Sequence, residues 1–233
     1  MKFFYSASSM GYGDGYRWHK KYNFPNFPRV TRTITNNRKI GLPFAVFKFK
    51  NSAWNRVGLH NIGLAKWFSY YYFNLYERKY DVILSIAGFD SEIESMISLI
   101  ESVSFINFNF KGIELNFSCP NIKSFNNKKV PKTKYPLYLK LNCLQDPYEY
   151  NLDNIEGIRL NSIPTIFGGL SGEAAKEKNW KWIKRYIKEG LNIAGCSFSD
   201  MIDILELNQM GCKEIGIGST ILTNPILIES LKY

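Results

Sequence analysis

Apolar and polar residues alternate along the chain in short runs that end on turn residues. Eight such runs read as β-strands: residues 2–6, 30–34, 82–86, 113–116, 137–141, 157–161, 191–194 and 214–217. Between several of them the apolar positions recur at the helical period. The stretch opening after Asp90 carries Ile93, Met96, Ile97, Ile100 and Val103 on one face, with Ser91 and Glu94 at the spacing of a capping box. Leu64, Trp67, Phe68, Tyr71 and Leu75 repeat the period. So do Trp180, Ile183, Tyr186 and Ile187, with Gly190 positioned to end that helix. Ser199 and Gly211 bracket a further helix carrying Ile202, Leu205 and Met210.

Strands alternating with amphipathic helices form βα units on a parallel sheet. Eight of them predict an α/β protein with a (β/α)8 TIM barrel over residues 1–233 as one domain; a doubly wound sheet is the competing architecture. Such barrels usually take ~250 residues, so trimmed loops are expected. Residues 121–136 are too polar and basic for a full amphipathic helix, and residues 142–156 have no helical period, so at least one outer helix should be reduced or missing.

Composition narrows the class. With 45% hydrophobic residues and 16% aromatics, the chain can bury enough surface to offset the entropy of ordering, which excludes a disordered tail. No stretch reaches the ~20 apolar residues of a membrane helix, and the N-terminus lacks the apolar core of a secretory signal. A soluble, cytoplasmic protein is expected. Four separated cysteines and two histidines offer neither a disulfide framework nor a zinc set. The net charge of +10 fits nucleic acid, an acidic surface or a phosphorylated ligand, and does not choose among them.

The chemistry concentrates in residues 112–121, GIELNFSCPN, where a strand ends directly on Asn116, Ser118, Cys119 and Asn121. In a barrel these side chains would line the mouth at the carboxyl ends of the strands. Carboxamides carry donor and acceptor side by side, so several of them can read the alternating N–H and C=O edge of a pyrimidine. Cys119 could serve as a base once ionised; read alone, such a cysteine is more often an inert, small buried residue. Lys140 read alone is a solvated rim residue, Asn161 a turn former and Gly168-Gly169 an ordinary loop.

The segment resembles the ELNxSCPN run of the dihydroorotate dehydrogenase family, and further resemblances follow in order along the chain. Ser6-Ala7-Ser8 and Gly11-Tyr12-Gly13 are similar to the family's first strand and loop, and Thr31-Arg32-Thr33-Ile34-Thr35 resembles its TKSxT segment. Residues 55–63 resemble NxxGLxNxG, residues 85–88 match SIAG, and Lys140-Leu141 falls at the strand-end lysine. Asn161-Ser162, residues 168–172 (GGLSG) and Gly218-Ser219-Thr220 complete the series.

The resemblance implies an FMN enzyme that oxidises dihydroorotate, or a related dihydropyrimidine, to orotate in pyrimidine biosynthesis. It implies that Asn55, Asn116, Asn121 and Asn161 hold the substrate. Cys119 would take the C5 proton as C6 passes a hydride to flavin N5, and Lys140 would stabilise the charge growing at the flavin N1/O2 edge. Ala7, Ser8, Arg32, Thr33, Asn116, Lys140 and Ser162 would contact the cofactor, and Gly169, Gly172, Gly195, Gly218 and Ser219 would lie near its phosphate. Cysteine at the base position resembles the soluble class, since the membrane-bound class has serine there. The implied partner is a small molecule, with no membrane and no nucleic acid, and a homodimer is compatible.

The departures from the family are specific. Arg32 replaces a lysine, residues 41–44 lack an expected arginine, and Cys196, Ser197 and Phe198 follow Gly195 where a glycine pair is expected. The Phe198 ring could therefore block the phosphate loop. The segments between Ser162 and Gly168 and between Asn121 and Leu137 are short. These departures motivate a second reading, a non-catalytic barrel that binds flavin or another phosphorylated ligand or acts in an assembly. An RNA-binding barrel is a third reading, motivated by the charge and the aromatics.

Overall fold

The computed structural model describes residues 1–42, 46–103, 110–118, 130–166 and 168–231. In chain order its elements begin with β1 (Lys2–Tyr5), β2 (Arg29–Val30), β3 (Val46–Phe49), β4 (Ser52–Asn55), α1 (Leu64–Glu77), β5 (Val82–Ile86), α2 (Asp90–Ser102), β6 (Phe110–Asn116) and β7 (Leu137–Leu141). They continue with β8 (Ile155–Leu160), β9 (Ile163–Thr165), β10 (Gly168–Gly172), α3 (Glu173–Lys188), α4 (Met201–Gln209), β11 (Glu214–Ile217), α5 (Thr220–Thr223) and α6 (Pro225–Ser230).

Seven strands form one parallel sheet in the order β11, β1, β2, β5, β6, β7, β8. Residues 193–195 join its two edges: Ile193 bridges Ile158 of β8, and Gly195 bridges Ile215 of β11. Ala194 N donates to Ile158 O at 2.9 Å and Gly195 N to Glu214 O at 2.8 Å. The sheet thereby closes into a ring of eight staves, a (β/α)8 barrel, and each stave overlaps one of the eight runs read from the sequence, the second by Val30 and an Ile34 bridge.

The period of two sorts the strand residues. Val82, Leu84 and Ile86 of β5 and Leu137, Leu139 and Leu141 of β7 point outward into the main core beneath the helices. The alternate positions Phe4, Val30 and Ile83 form a separate small cluster with Ala194 and Tyr138, which the alternation assigns to the barrel interior.

Ile93, Met96, Ile97 and Ile100 of α2 are all buried, as the helical period requires. Leu64, Trp67 and Leu75 of α1 are fully buried, each worth roughly 1.5–3 kcal/mol of transfer free energy. Trp67 also donates its indole N–H to Tyr12 O at 3.2 Å, which fixes the loop after β1 against the helix.

Three expectations need correction. The α2 cap is made by Glu92, whose carboxylate accepts from Phe89 N at 2.9 Å, because the helix starts at Asp90 and carries Ser91 and Glu94 inside its first turns. On α4 the cap is Asp200 rather than Ser199, its side chain accepting from Asp203 N. Ile202 and Leu205 of that helix are exposed, whereas Asp203, Ile204 and Leu207 face inward. Asp203 is the reason: it faces inward to meet Lys176 of α3 and Ser199, so the helix is rotated away from the purely apolar stripe.

Between β7 and β8 the chain makes only a one-turn 3-10 helix, Pro147–Glu149, so an outer helix is missing there as expected. An antiparallel sheet in the order β3, β4, β10, β9 also stands outside the barrel ring, and the strand reading missed it. Its strands are short and β10 is glycine-rich, and Gly168-Gly169, which read as loop, pair with Thr165, Pro164 and Asn55 within it.

Candidate functional site

Above the apolar layer the barrel interior is polar. Ser85 of β5, Glu114 and Asn116 of β6, Lys140 of β7 and Arg159 of β8 all occupy inward positions and are all buried. They form a continuous set of contacts. Asn161 Nδ2 donates to Ser118 Oγ at 2.8 Å, and Ser118 Oγ donates to Asn116 Oδ1 at 2.7 Å. Asn116 Nδ2 donates to Thr33 Oγ1 at 2.9 Å, Thr33 and Ser85 hydroxyls meet at 3.0 Å, and Ser85 Oγ donates to Glu114 Oε1 at 2.9 Å. The Asn116 carboxamide is thus engaged at both ends.

Glu114 is the centre of a buried charge cluster. Lys140 Nζ lies 3.8 Å from its Oε1 and Arg159 Nη1 lies 3.5 Å from its Oε2, while Arg159 Nη2 lies 3.7 Å from Glu214 Oε2. Two cations and two carboxylates balance, which is the condition for burying them at all. A cavity of about 10 Å³, room for about one water, lies among Ser6, Ala7, Glu114, Lys140, Arg159 and Gly195.

The expected site residues distribute around this interior. Lys140 stands beside Asn116 in the β6–β7 register, one residue before the end of its strand, and is buried rather than solvated at the rim. Ala7 and Gly195 line the same cavity. Thr33 is buried in the hydrogen-bonded set. Ser8 has a left-handed backbone (φ 73°), and its carbonyl accepts from the Tyr16 hydroxyl at 2.9 Å. Arg32 N donates to Gly11 O at 2.6 Å, and its charge opposes the upward push that burial gives the Tyr12 and Tyr16 phenols. Arg32, just after β2, is thereby tied to the loop after β1 that carries Ser8.

The others lie on and beside the outer sheet, with Gly218 and Ser219 after β11. Asn55 Nδ2 donates to Gly169 O at 3.2 Å. A Cβ on Gly169 would come within 2.2 Å of Ser162 Oγ, and one on Gly172 within 3.1 Å of Ser219 Oγ. Asn55, Ser162 and Gly169 thus form one group, and Gly172 and Ser219 a second. A Cβ on Gly218 would meet nothing within 4 Å. Cys119 and Asn121 lie outside the described residues.

The expectation for Phe198 needs correction: its ring is packed in the main core, and its carbonyl accepts from Thr220 Oγ1 at 2.6 Å. The neighbouring Ser197 takes a left-handed backbone (φ 59°), and its hydroxyl accepts from Asn179 Nδ2 at 2.9 Å. Burial pushes the Cys196 thiol up to about 11 and the Cys212 thiol up to about 12, which keeps both protonated at neutral pH.

Arg159 lies outside every matched motif, and Glu114, though inside the ELNxSCPN run, was given no role there. Their signal was nevertheless present: each is a charged residue at an inward position of a run whose flanking positions are apolar, IELN and IRLN.

A closed parallel barrel with polar and charged side chains gathered toward the carboxyl ends of its strands is the architecture of a (β/α)8 enzyme site. A family profile described as dihydroorotate dehydrogenase matches residues 4–141, more than half of the chain. The chain belongs to the dihydroorotate dehydrogenase family. One relative, the catalytic subunit of dihydroorotate dehydrogenase B (NAD(+)) from Thermoplasma volcanium, is 25% identical over 228 residues, covering 82% of this chain and 74% of its own.

Proposed function

We propose that the protein is an FMN-dependent oxidoreductase that converts dihydroorotate, or a closely related dihydropyrimidine, to orotate in pyrimidine biosynthesis. The observation that carries this reading is Lys140: a buried ammonium on the β7 stave, beside Asn116 and lining the interior cavity. A buried cation at the strand ends suits a ring that becomes anionic on reduction. The residues fit a flavin at both ends. Arg159 adds a second cation with two N–H groups that have no hydrogen-bond partner among the described residues. The open backbone at Gly218, next to Ser219, leaves room for a phosphate to approach.

FMN, when bound, supplies the hydride acceptor. Asn55, Asn116, Asn121 and Asn161 orient the substrate ring, Asn116 chiefly by holding Ser118 and through it Asn161. Cys119 removes the proton from substrate C5. Lys140 supplies positive charge beneath the site, and the family resemblance at Ser162, Gly169, Gly195 and Ser219 supports their contact with the cofactor. Among the described residues no helix is long and apolar enough to cross a membrane.

The test is direct. Purified protein titrated with FMN should quench its fluorescence, and dihydroorotate added anaerobically should bleach the bound flavin. Binding without bleaching would favour a barrel that retains the ligand but not turnover, and no binding would remove the flavin reading.

A further inference from the structure

Arg159 is the most expensive side chain in the barrel to bury. It is only 4% exposed, yet its Nε and Nη1 have no hydrogen-bond partner among the described residues. Its guanidinium is wedged between the rings of Phe4, 4.1 Å from the centroid, and Tyr138, at 3.8 Å. Its approach to Glu114 at 3.5 Å is an ion pair rather than a close hydrogen bond. A buried cation with unsatisfied donors costs stability unless its charge has a task.

The geometry defines that task. Glu114 has two oxygens and three neighbours: Ser85 and Lys140 on Oε1, Arg159 on Oε2. Without Arg159 the carboxylate would be balanced by Lys140 alone, and the two would collapse into a tight neutral pair. With Arg159 in place the negative charge is shared and the Lys140 ammonium stays 3.8 Å away, incompletely neutralised and lining the cavity. We propose that Arg159 is a positioning residue for Lys140, acting through Glu114 to keep the lysine charge available toward the strand-end cavity. The inference rests on the flavin reading above, because a bound flavin is what would use that charge.

The experiment is a spectroelectrochemical titration of the FMN-loaded protein, comparing wild type with Arg159→Met, Arg159→Lys and Glu114→Gln. Arg159→Met should shift the flavin potential negative, with the preference for reduced over oxidised FMN falling about tenfold, because Lys140 collapsed onto Glu114 offers the reduced ring less positive charge. Glu114→Gln should shift it positive, and Arg159→Lys should return it toward wild type. A plug that merely fills the barrel between Phe4 and Tyr138 would give the two neutral variants no such opposite signs. In a Glu114→Gln background the Arg159→Met shift should shrink. Equal shifts in both backgrounds would mean that Arg159 acts by its own charge, and unchanged potentials would mean that it does not act on the flavin; either overturns the inference while leaving the flavin reading intact. Failure of wild type to bind FMN removes the flavin reading and the inference together. If Arg159→Met does not fold, Arg159→Lys and Glu114→Gln still decide, since both preserve the volume of the cluster.

Discussion

Ser118 Oγ accepts from Asn161 Nδ2 at 2.8 Å while donating to Asn116 Oδ1 at 2.7 Å, so one hydroxyl orients two carboxamides from different staves. Each hydrogen bond of this kind is worth about 1 kcal/mol net, and more when its loss strands a buried partner. Ser118→Ala should therefore lower stability by about 1–2 kcal/mol in urea unfolding. It should also weaken orotate binding, because Asn161 loses the partner that fixes its amide. Unchanged orotate affinity in a folded variant would show that neither carboxamide depends on Ser118 for its orientation.

The glycines of the expected phosphate region separate into two kinds. Gly172 has φ +81°, and a Cβ there would approach Asn51 O to 2.4 Å, so its need for glycine comes from the β4–β10 backbone contact. Gly172→Ala should cost about 1–3 kcal/mol even without cofactor. Gly218→Ala meets nothing within 4 Å and should stay within about 0.5 kcal/mol of wild type in the absence of FMN. Under the flavin reading its added methyl should instead weaken FMN binding. Urea midpoints with and without FMN distinguish the two positions.

The barrel was legible because its staves follow a period of two over β-rich runs, and even residues 193–195, held by only one bridge on each side, carried that signal. The α4 face was misread because hydropathy ranks Ile202 and Leu205 above Asp203, whereas the fold buries the carboxylate with its Lys176 partner. The β10 strand of the outer sheet was missed because residues 168–172 contain three glycines, which carry little strand propensity, and pairing with β4 and β9 makes them a strand. At the site, family motifs reached Lys140, Asn116 and Asn161. They did not reach Arg159, whose partners Glu114 and Glu214 lie 45 and 55 residues away in sequence and are brought to it by the sheet order across β7 and by closure of the ring through residues 193–195.

A pH dependence of stability follows from His19. Its Nδ1 accepts from Tyr16 N at 3.1 Å, its Nε2 is buried without a partner among the described residues, and its ring meets Trp18 edge-on at 4.1 Å. Burial, reinforced by the Arg29 charge, lowers its pKa from 6.5 to about 4. The unfolded chain therefore binds a proton that the folded protein refuses. The stabilisation is complete above about 6.5 and is lost as the pH falls toward about 4. Urea midpoints should drop across that window and should drop less in His19→Gln, which can still accept from Tyr16 N and should cost about 1–2 kcal/mol at pH 7.5. Identical pH slopes in the two proteins would remove His19 as the cause.

Under the proposed function the chemical step turns on Cys119. A thiol of ordinary pKa ~8.5 is only a few per cent thiolate at neutrality, so a base of this kind should make flavin reduction by dihydroorotate rise about tenfold per pH unit below its pKa and level off above it. Cys119→Ala should slow that reduction by about 10²–10⁴ while leaving FMN bound, since the thiol acts on the substrate proton and contributes little to holding the ring. Lys140→Ala should weaken both flavin binding and its reduction, because the charge it removes faces the anion that forms. The two variants thus separate proton removal from charge stabilisation in one measurement, anaerobic stopped-flow bleaching across pH 6 to about 9. Bleaching of Cys119→Ala at the wild-type rate, with the same pH profile, would assign the base to another residue. Bound flavin that no form of the protein bleaches would instead mark a barrel that has kept its ligand and lost its reaction.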